Sequence, residues 1–266
     1  MSFRFSPLLI LLTLAFLSCA VTGPGGKKSI IIIPTSQEVA IGVGMDEEIR
    51  KTEKILDDSL WQDYITEIGQ KIVNVSDRKD LKYHFAVIES DQINAFAAPG
   101  GYLYFYTGII KEMKNEAELA SVVAHEISHV VARHSIKRVQ AAMGVSLVSQ
   151  LILGDNNSKI IQTAIGTAVG LKFASYSRDN EREADNFGLN YMIAAGYHPN
   201  GMVSMFKILA EKGGKTSNVF EQLASSHPDT QERINNTKKD IQTYMPLKSD
   251  LTFGEEHFQK MKERLK

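Results

Sequence analysis

The stretch His125-Glu126-Ile127-Ser128-His129 carries the residue types that activate water for hydrolysis. Residues four apart on an α-helix share a face, so a helix here would aim two imidazoles, His125 and His129, at one metal ion. Glu126 would stand beside them to take a proton from metal-activated water. A string this short arises by chance in about one chain in a hundred of this length, so its surroundings decide. Lys114 to Arg138 contains no Pro or Gly and predicts one continuous helix, capped by Asn115 with Glu118 three residues on. Leu119, Val123, Ile127 and Val130 recur at spacings of four, four and three, an amphipathic stripe centred away from the two histidines. Such a helix buries its stripe and turns both imidazoles into a cleft.

A catalytic zinc ion takes three protein ligands and keeps one position for water. His134 follows His125 by nine residues and would point about 180° away on a continuous helix, which excludes it. The longer HExxHxxGxxH pattern is absent, because Ala132 and Ser135 stand where Gly and His are required. The third ligand is expected in Ser177-Arg178-Asp179-Asn180-Glu181-Arg182-Glu183-Ala184-Asp185, which opens a second helical pattern running to Gly196. Glu181 and Asp185 share a face at i, i+4, and the small Ala184 admits a neighbouring helix. Glu181 as ligand, with Asp185 accepting the other ring N–H of a zinc-bound histidine, is the gluzincin arrangement. Glu183, about 200° from Glu181, is the competing ligand.

The strings HEISHVVARH, SRDNEREAD and NAFAAPGGYLYFYTG together resemble the zinc metallopeptidase family that includes HtpX, the CAAX prenyl protease, BepA and LoiP. The resemblance runs from about Gln37 to about Ile241. It implies one Zn2+ on His125, His129 and Glu181, with Glu126 as general base and Asp185 orienting a ligand. The HtpX and CAAX-protease branches span the membrane; this chain has no apolar run of the roughly 20 residues that crossing requires. It therefore resembles the soluble, envelope-facing branch, which implies misfolded or stalled outer-membrane and periplasmic proteins as substrates.

The start of the chain agrees with an envelope address. Arg4 precedes an apolar run from Leu8 to Leu17, the length of a signal-peptide core. Cys19 is the only cysteine, and Leu17-Ser18-Cys19-Ala20 resembles a bacterial lipobox. The resemblance implies removal of residues 1–18 and acylation of Cys19, giving a lipid-anchored protein that faces the periplasm, with the outer membrane favoured by Ala20. An ordinary secretory signal and an uncleaved anchor are the alternatives.

Positioning these groups needs a core, and 266 residues, 43% hydrophobic and 23% charged, suffice for one globular domain. The formal net charge of −1 carries no basic patch and argues against a nucleic-acid partner. Residues 19–35 read as a lipidated tether, 36–245 as the peptidase domain and 246–266 as a tail helix. Within the tether, Ile30 to Ile33 reads as an added edge strand. Helices are expected over Ser36–Leu56 and Ser59–Val75, and a strand over Tyr83–Ile88. A hairpin is expected from Ile93–Ala97 to Tyr102–Tyr106 across Pro99-Gly100-Gly101. The rest is helical, so the class is α+β: a mostly helical gluzincin-type domain with a small antiparallel or mixed sheet.

Two further features bear on function. Asn94, Ala95 and Phe96 lead into the hairpin turn and could pair an extended substrate along an exposed strand edge, or serve as ordinary sheet. His227 precedes Pro228, a residue suited to the first helical position, and would face the cleft as a donor to the developing oxyanion or as a resting-state metal ligand. The apolar segment 141–173 is expected to form a helical hairpin near the site. The reading that follows is a zinc-dependent metalloendopeptidase acting in envelope protein quality control. The alternative is an envelope assembly factor or holdase with low or gated proteolysis.

Overall fold

The computed structural model describes residues 30–153, 158–213, 227 and 230–265. The expected signal segment, Cys19, the tether up to Ser29 and Pro228 lie outside the described residues.

The chain opens with α1 (Thr35–Thr52) and α2 (Ser59–Val73). Asp58 starts α2 by accepting the Leu60 and Trp61 amides, and Trp61, Ile65, Ile68 and Ile72 bury one face of it at helical spacing. Strand β1 (His84–Ile88) follows, then β2 (Ala95–Ala98), a tight turn at Pro99–Gly101 and β3 (Tyr102–Tyr106). Gly100 and Gly101 take φ of 76° and 89°, the left-handed backbone that a side chain resists. The expected hairpin is present, with Ala95 opposite Phe105 and Ala97 opposite Leu103. Strand order is β1-β3-β2, with β1 parallel and β2 antiparallel to β3, so β2 is an edge of a mixed sheet.

Helices make up most of the remainder: α3 (Thr107–Glu112), α4 (Glu116–Val131), α5 (His134–Leu153), α6 (Ser158–Gly170), α7 (Arg178–Ala194), α8 (Asn200–Gly213), α9 (Thr230–Gln242) and α10 (Glu255–Lys262). The fold is thus the expected mostly helical α+β class. No helix among the described residues is long and apolar enough to cross a membrane.

Strand alternation divides the interior in two. Val87, Ala95, Ala97, Leu103 and Phe105 face a core shared with α2, α4, α7 and α8. Ala86, Ile88, Phe96, Tyr104 and Tyr106 face a second core built from α1, α5 and α6. The apolar segment 141–173 is therefore a helical hairpin, and Met143, Val148, Leu151, Ile160 and Ala164 spend its hydrophobicity on that second core. Helix α10 is docked as well: Phe258 is fully buried and Trp61 Nε1 donates to the Met261 carbonyl at 2.9 Å.

Two expectations fail. Ile30–Ile33 is not a strand. Ile31 and Ile33 are buried in the second core, while side chains rather than a neighbouring strand hold the backbone: Ile32 N–H donates to Gln140 Oε1 (2.7 Å) and Arg133 Nη2 to the Ile33 carbonyl (2.8 Å). The helix expected to run through Arg138 ends at Val131, because Arg133 adopts a left-handed φ of 56° and starts the chain on a new axis. A buried carboxylate secures that turn. Glu38, on α1, pairs with Arg133 Nε at 2.8 Å and with Arg78 Nη2 at 2.9 Å, and Arg78 Nη1 caps the Val130 carbonyl at 3.0 Å.

Candidate active site

Helix α4 starts as its sequence requires: Asn115 Oδ1 accepts the Glu118 amide at 3.0 Å. The Glu118 carboxylate reaches one residue further back than expected, accepting the Lys114 amide at 2.6 Å. Leu119, Val123, Ile127 and Val130 are buried, contributing about 1.5–3 kcal/mol each in gross hydrophobic terms. That burial fixes the roll of the helix and aims His125, Glu126 and His129 at α7. Ser177 caps α7 by accepting the Asn180 amide, and buried Ala184 and Gly188 let the helices approach closely. A Cβ added at Gly188 would lie 3.2 Å from the His125 nitrogen of the main chain.

The two helices bring three side chains together, and His227, just ahead of α9, adds a fourth. Ring nitrogens of His125, His129 and His227 and a carboxylate oxygen of Glu181 all lie within 4.8 Å of one another, and all four residues are buried. His125 Nε2 and His129 Nε2 stand 3.1 Å apart, facing Glu181 at 3.6 and 3.5 Å. Asp185 Oδ1 lies 2.9 Å from His125 Nδ1, on the far side of that ring from the cluster. Glu183, the competing ligand, is elsewhere: its Oε2 bonds His134 Nε2 at 3.0 Å.

His227 Nδ1 sits 3.0 Å from both Glu181 oxygens, and its Nε2 lies 3.8 Å from Glu126 Oε1. Burial alone would lower its pKa, but the Glu181 and Glu126 carboxylates outweigh that and raise it. Burial would raise the Glu181 pKa; His227, Arg233 and His125 reverse the direction and hold it low. Burial, with three histidines and Arg138 nearby, drives His129 well below the usual imidazole value, so it stays neutral and its ring nitrogen is available as a donor.

Among these groups Glu126 is conspicuous. It is 1% exposed, and its Oε2 makes no hydrogen bond among the described residues. A buried orphaned carboxylate oxygen costs about 1–3 kcal/mol, a cost tolerated where it serves chemistry. Three imidazoles and one carboxylate are a donor set that a divalent zinc ion takes, and the buried Glu126 carboxylate beside them suits a base. The residues fit a metal.

Three participants were missed by sequence reasoning. Arg233 on α9 is fully enclosed, its Nη2 and Nε holding both Asp185 oxygens at 2.7 and 2.8 Å, its Nη1 3.2 Å from Glu181, and its guanidinium over Phe206. Its signal was a cation on the same helix face as Ile234, Thr237 and Ile241. Tyr176 stacks on His129 with centroids 4.0 Å apart, and its hydroxyl meets Ser135 Oγ at 3.0 Å. Burial raises its pKa to about 12, so it stays a phenol. His134, excluded by the continuous-helix argument, lies against His129, with Nδ1 to Nδ1 at 2.9 Å, because α4 ends at Val131.

Strand β2 borders the cluster. The Tyr106 amide donates to the Asn94 carbonyl, which sets the ladder so that Phe96 and Ala98 bond β3 while Ala95 and Ala97 turn their N–H and C=O outward. Ser135 Oγ already donates to the outward Ala97 carbonyl at 2.8 Å. Ala95 lines an apolar pocket with Ile109, Val122, Met205 and Phe206 that opens on His125 and Glu126.

The sequence profile of peptidase family M48 matches residues 59–241. The beta-barrel assembly-enhancing protease of Escherichia coli (strain K12) is 27% identical over 245 residues, covering 88% of this chain and 50% of the relative. The mitochondrial metalloendopeptidase OMA1 of Schizosaccharomyces pombe is 31% identical over 185 residues, 69% of this chain and 52% of the relative. Metalloprotease YcaL of Escherichia coli (strain K12) is 30% identical over 162 residues, 59% of this chain and 62% of that one. The chain spans about half the length of the assembly-enhancing proteases it matches. With that profile match spanning all four residues of the His–His–Glu–His cluster, the chain belongs to the metal-dependent peptidase family M48.

Proposed function

We propose that this protein is a zinc metalloendopeptidase in which His125, His129 and Glu181 hold the metal and Glu126 is the general base. The observation that carries the reading is the convergence of those three residues within 4.8 Å of one another, next to a buried Glu126 whose Oε2 makes no hydrogen bond among the described residues. Zinc bound there would supply Lewis-acid polarisation of the scissile carbonyl and lower the pKa of a water toward about 7. Glu126 takes the proton of the attacking water and returns it to the leaving amine. Asp185, fixed by Arg233, accepts the Nδ1–H of His125 and keeps its Nε2 lone pair directed at the metal. An extended substrate pairs with the outward backbone of Ala95, between Asn94 and Phe96, and Ser135 ends that ladder at Ala97.

The cluster's depth favours gating. Strand β2 is buried throughout, and His227 occupies the space between Glu181 and Glu126. His227 is a resting-state ligand that must leave when substrate enters, and it then donates to the oxyanion. That supports a protease of low basal activity, and merges with the second reading of an assembly factor. The substrates are envelope proteins, by extension from a relative whose name is beta-barrel assembly-enhancing protease, and the lipobox-like Leu17-Ser18-Cys19-Ala20 supports an anchor at Cys19 to the membrane facing the periplasm.

Glu126→Gln tests the reading: it should retain one zinc per chain and lose on the order of 10²–10⁴ in the rate of casein cleavage, which a chelator abolishes in the wild type. Full activity in the purified variant refutes the assignment. Suppression of aggregation that persists in Glu126→Gln, without any chelator-sensitive cleavage in the wild type, supports a holdase instead.

A further inference from the structure

We infer that Glu183 and His134 are a positioning pair that fixes the tautomer of His129 and so presents its Nε2 lone pair to the metal. The inference rests on the reading of His129 as a ligand. His125 Nδ1 has a direct carboxylate partner in Asp185, whereas His129 Nδ1 has no carboxylate partner among the described residues, and His129 is 0% exposed, so no bulk water can serve instead. Among the described residues its Nδ1 meets another imidazole nitrogen, His134 Nδ1, at 2.9 Å. One of these two nitrogens must carry the proton, and the hydrogen bond alone does not choose between them.

Glu183 makes the choice. An ionised carboxylate only accepts, so the 3.0 Å contact to its Oε2 requires the hydrogen on His134 Nε2. Neutral His134 then has a bare Nδ1, which accepts from His129 Nδ1–H. His129 Nε2 is left with its lone pair, and that is the atom facing His125 and Glu181. Tyr176 fixes the plane of the same ring by stacking on it at 4.0 Å. The turn at Arg133, secured by Glu38, returns His134 to this place. His125 and His129 thus have carboxylate partners of different reach, one direct and one through an intervening imidazole.

The test measures zinc affinity of the full chain by competition with a chromogenic chelator, in wild type and in Glu183→Gln, His134→Phe, His134→Gln and His129→Ala. Glutamine at 183 can donate as well as accept, so it removes the bias; phenylalanine at 134 removes the acceptor; glutamine at 134 restores one. Glu183→Gln and His134→Phe should each lose about 10–100-fold in zinc affinity, with His134→Gln within a few-fold of wild type. Long-range ¹⁵N–¹H correlation of the metal-free chain should show His129 protonated at Nδ1 in the wild type and as a tautomer mixture in Glu183→Gln. Wild-type affinity in Glu183→Gln, or an unchanged His129 tautomer there, overturns the inference even if His134→Phe fails to fold. A His134→Gln variant as weak as His134→Phe also overturns it, since packing alone would explain both. Zinc binding undiminished in His129→Ala instead overturns the underlying ligand reading.

Discussion

Glu38→Ala is expected to be among the most destabilising single changes in this chain. Glu38 is 1% exposed, and its two oxygens hold Arg78 at 3.1 and 2.9 Å and Arg133 at 2.8 Å. Removing it leaves two buried guanidinium groups, each retaining one carbonyl, Val130 for Arg78 and Ile33 for Arg133. Breaking a buried ion pair from one side costs about 3–5 kcal/mol, because the surviving charge has lost its water and its partner. With two cations stranded, the upper half of that range is expected. For a chain of this size it corresponds to a fall in Tm of roughly 8–20 °C. Trp61, the only tryptophan and fully buried, reports urea unfolding directly. Chelator should be present throughout, so that metal binding does not shift the apparent stability. A loss below about 1 kcal/mol, the scale of exposed pairs, would refute the claim that this network secures the end of α4.

Two further outcomes follow from the packing and the buried phenols. Gly42→Ala would put a methyl carbon 2.2 Å from the Pro99 carbonyl oxygen, forcing α1 off the hairpin turn; a loss of about 1–3 kcal/mol by urea unfolding is expected, and an unchanged midpoint contradicts the contact. Tyr64, Tyr104 and Tyr191 are held above the usual value of 10.0 by burial first and then by hydrogen bonds to Glu116, Asp46 and Asp77. Raised folded-state values mean stability that is full below pH 10.0 and is lost as pH climbs beyond it, when the unfolded chain ionises first. Phenolate absorbance of these three should therefore appear together with loss of fold, and their titration within an intact circular dichroism spectrum would contradict their burial.

How much of this was legible in the sequence depended on the range of the forces involved. The HEISH and SRDNEREAD strings were readable because i, i+4 geometry is local: His125 with His129, and Glu181 with Asp185, need only a helix to share a face. The hairpin was readable because Pro99-Gly100-Gly101 carries its own turn chemistry. The end of α4 was not. Nothing between Val131 and Arg138 breaks a helix by propensity; Glu38, nearly a hundred residues earlier, stabilises the left-handed Arg133, so His134 was placed on the wrong axis. Arg233 was missed for a like reason, since its burial makes sense only once Asp185 and Glu181 face it. Ile30–Ile33 had strand composition, yet its apolar side chains found the α1–α5–α6 core and its backbone found Gln140 and Arg133 before any strand.

The central claim is that His125, His129 and Glu181 hold one metal ion beside Glu126. Anomalous diffraction at the zinc edge, from crystals of the metal-loaded chain, tests it most directly. A single strong peak about 2.0–2.2 Å from His125 Nε2, His129 Nε2 and a Glu181 oxygen is the predicted result. A peak held without Glu181, or none in this cluster from a protein that carries stoichiometric zinc, would contradict it.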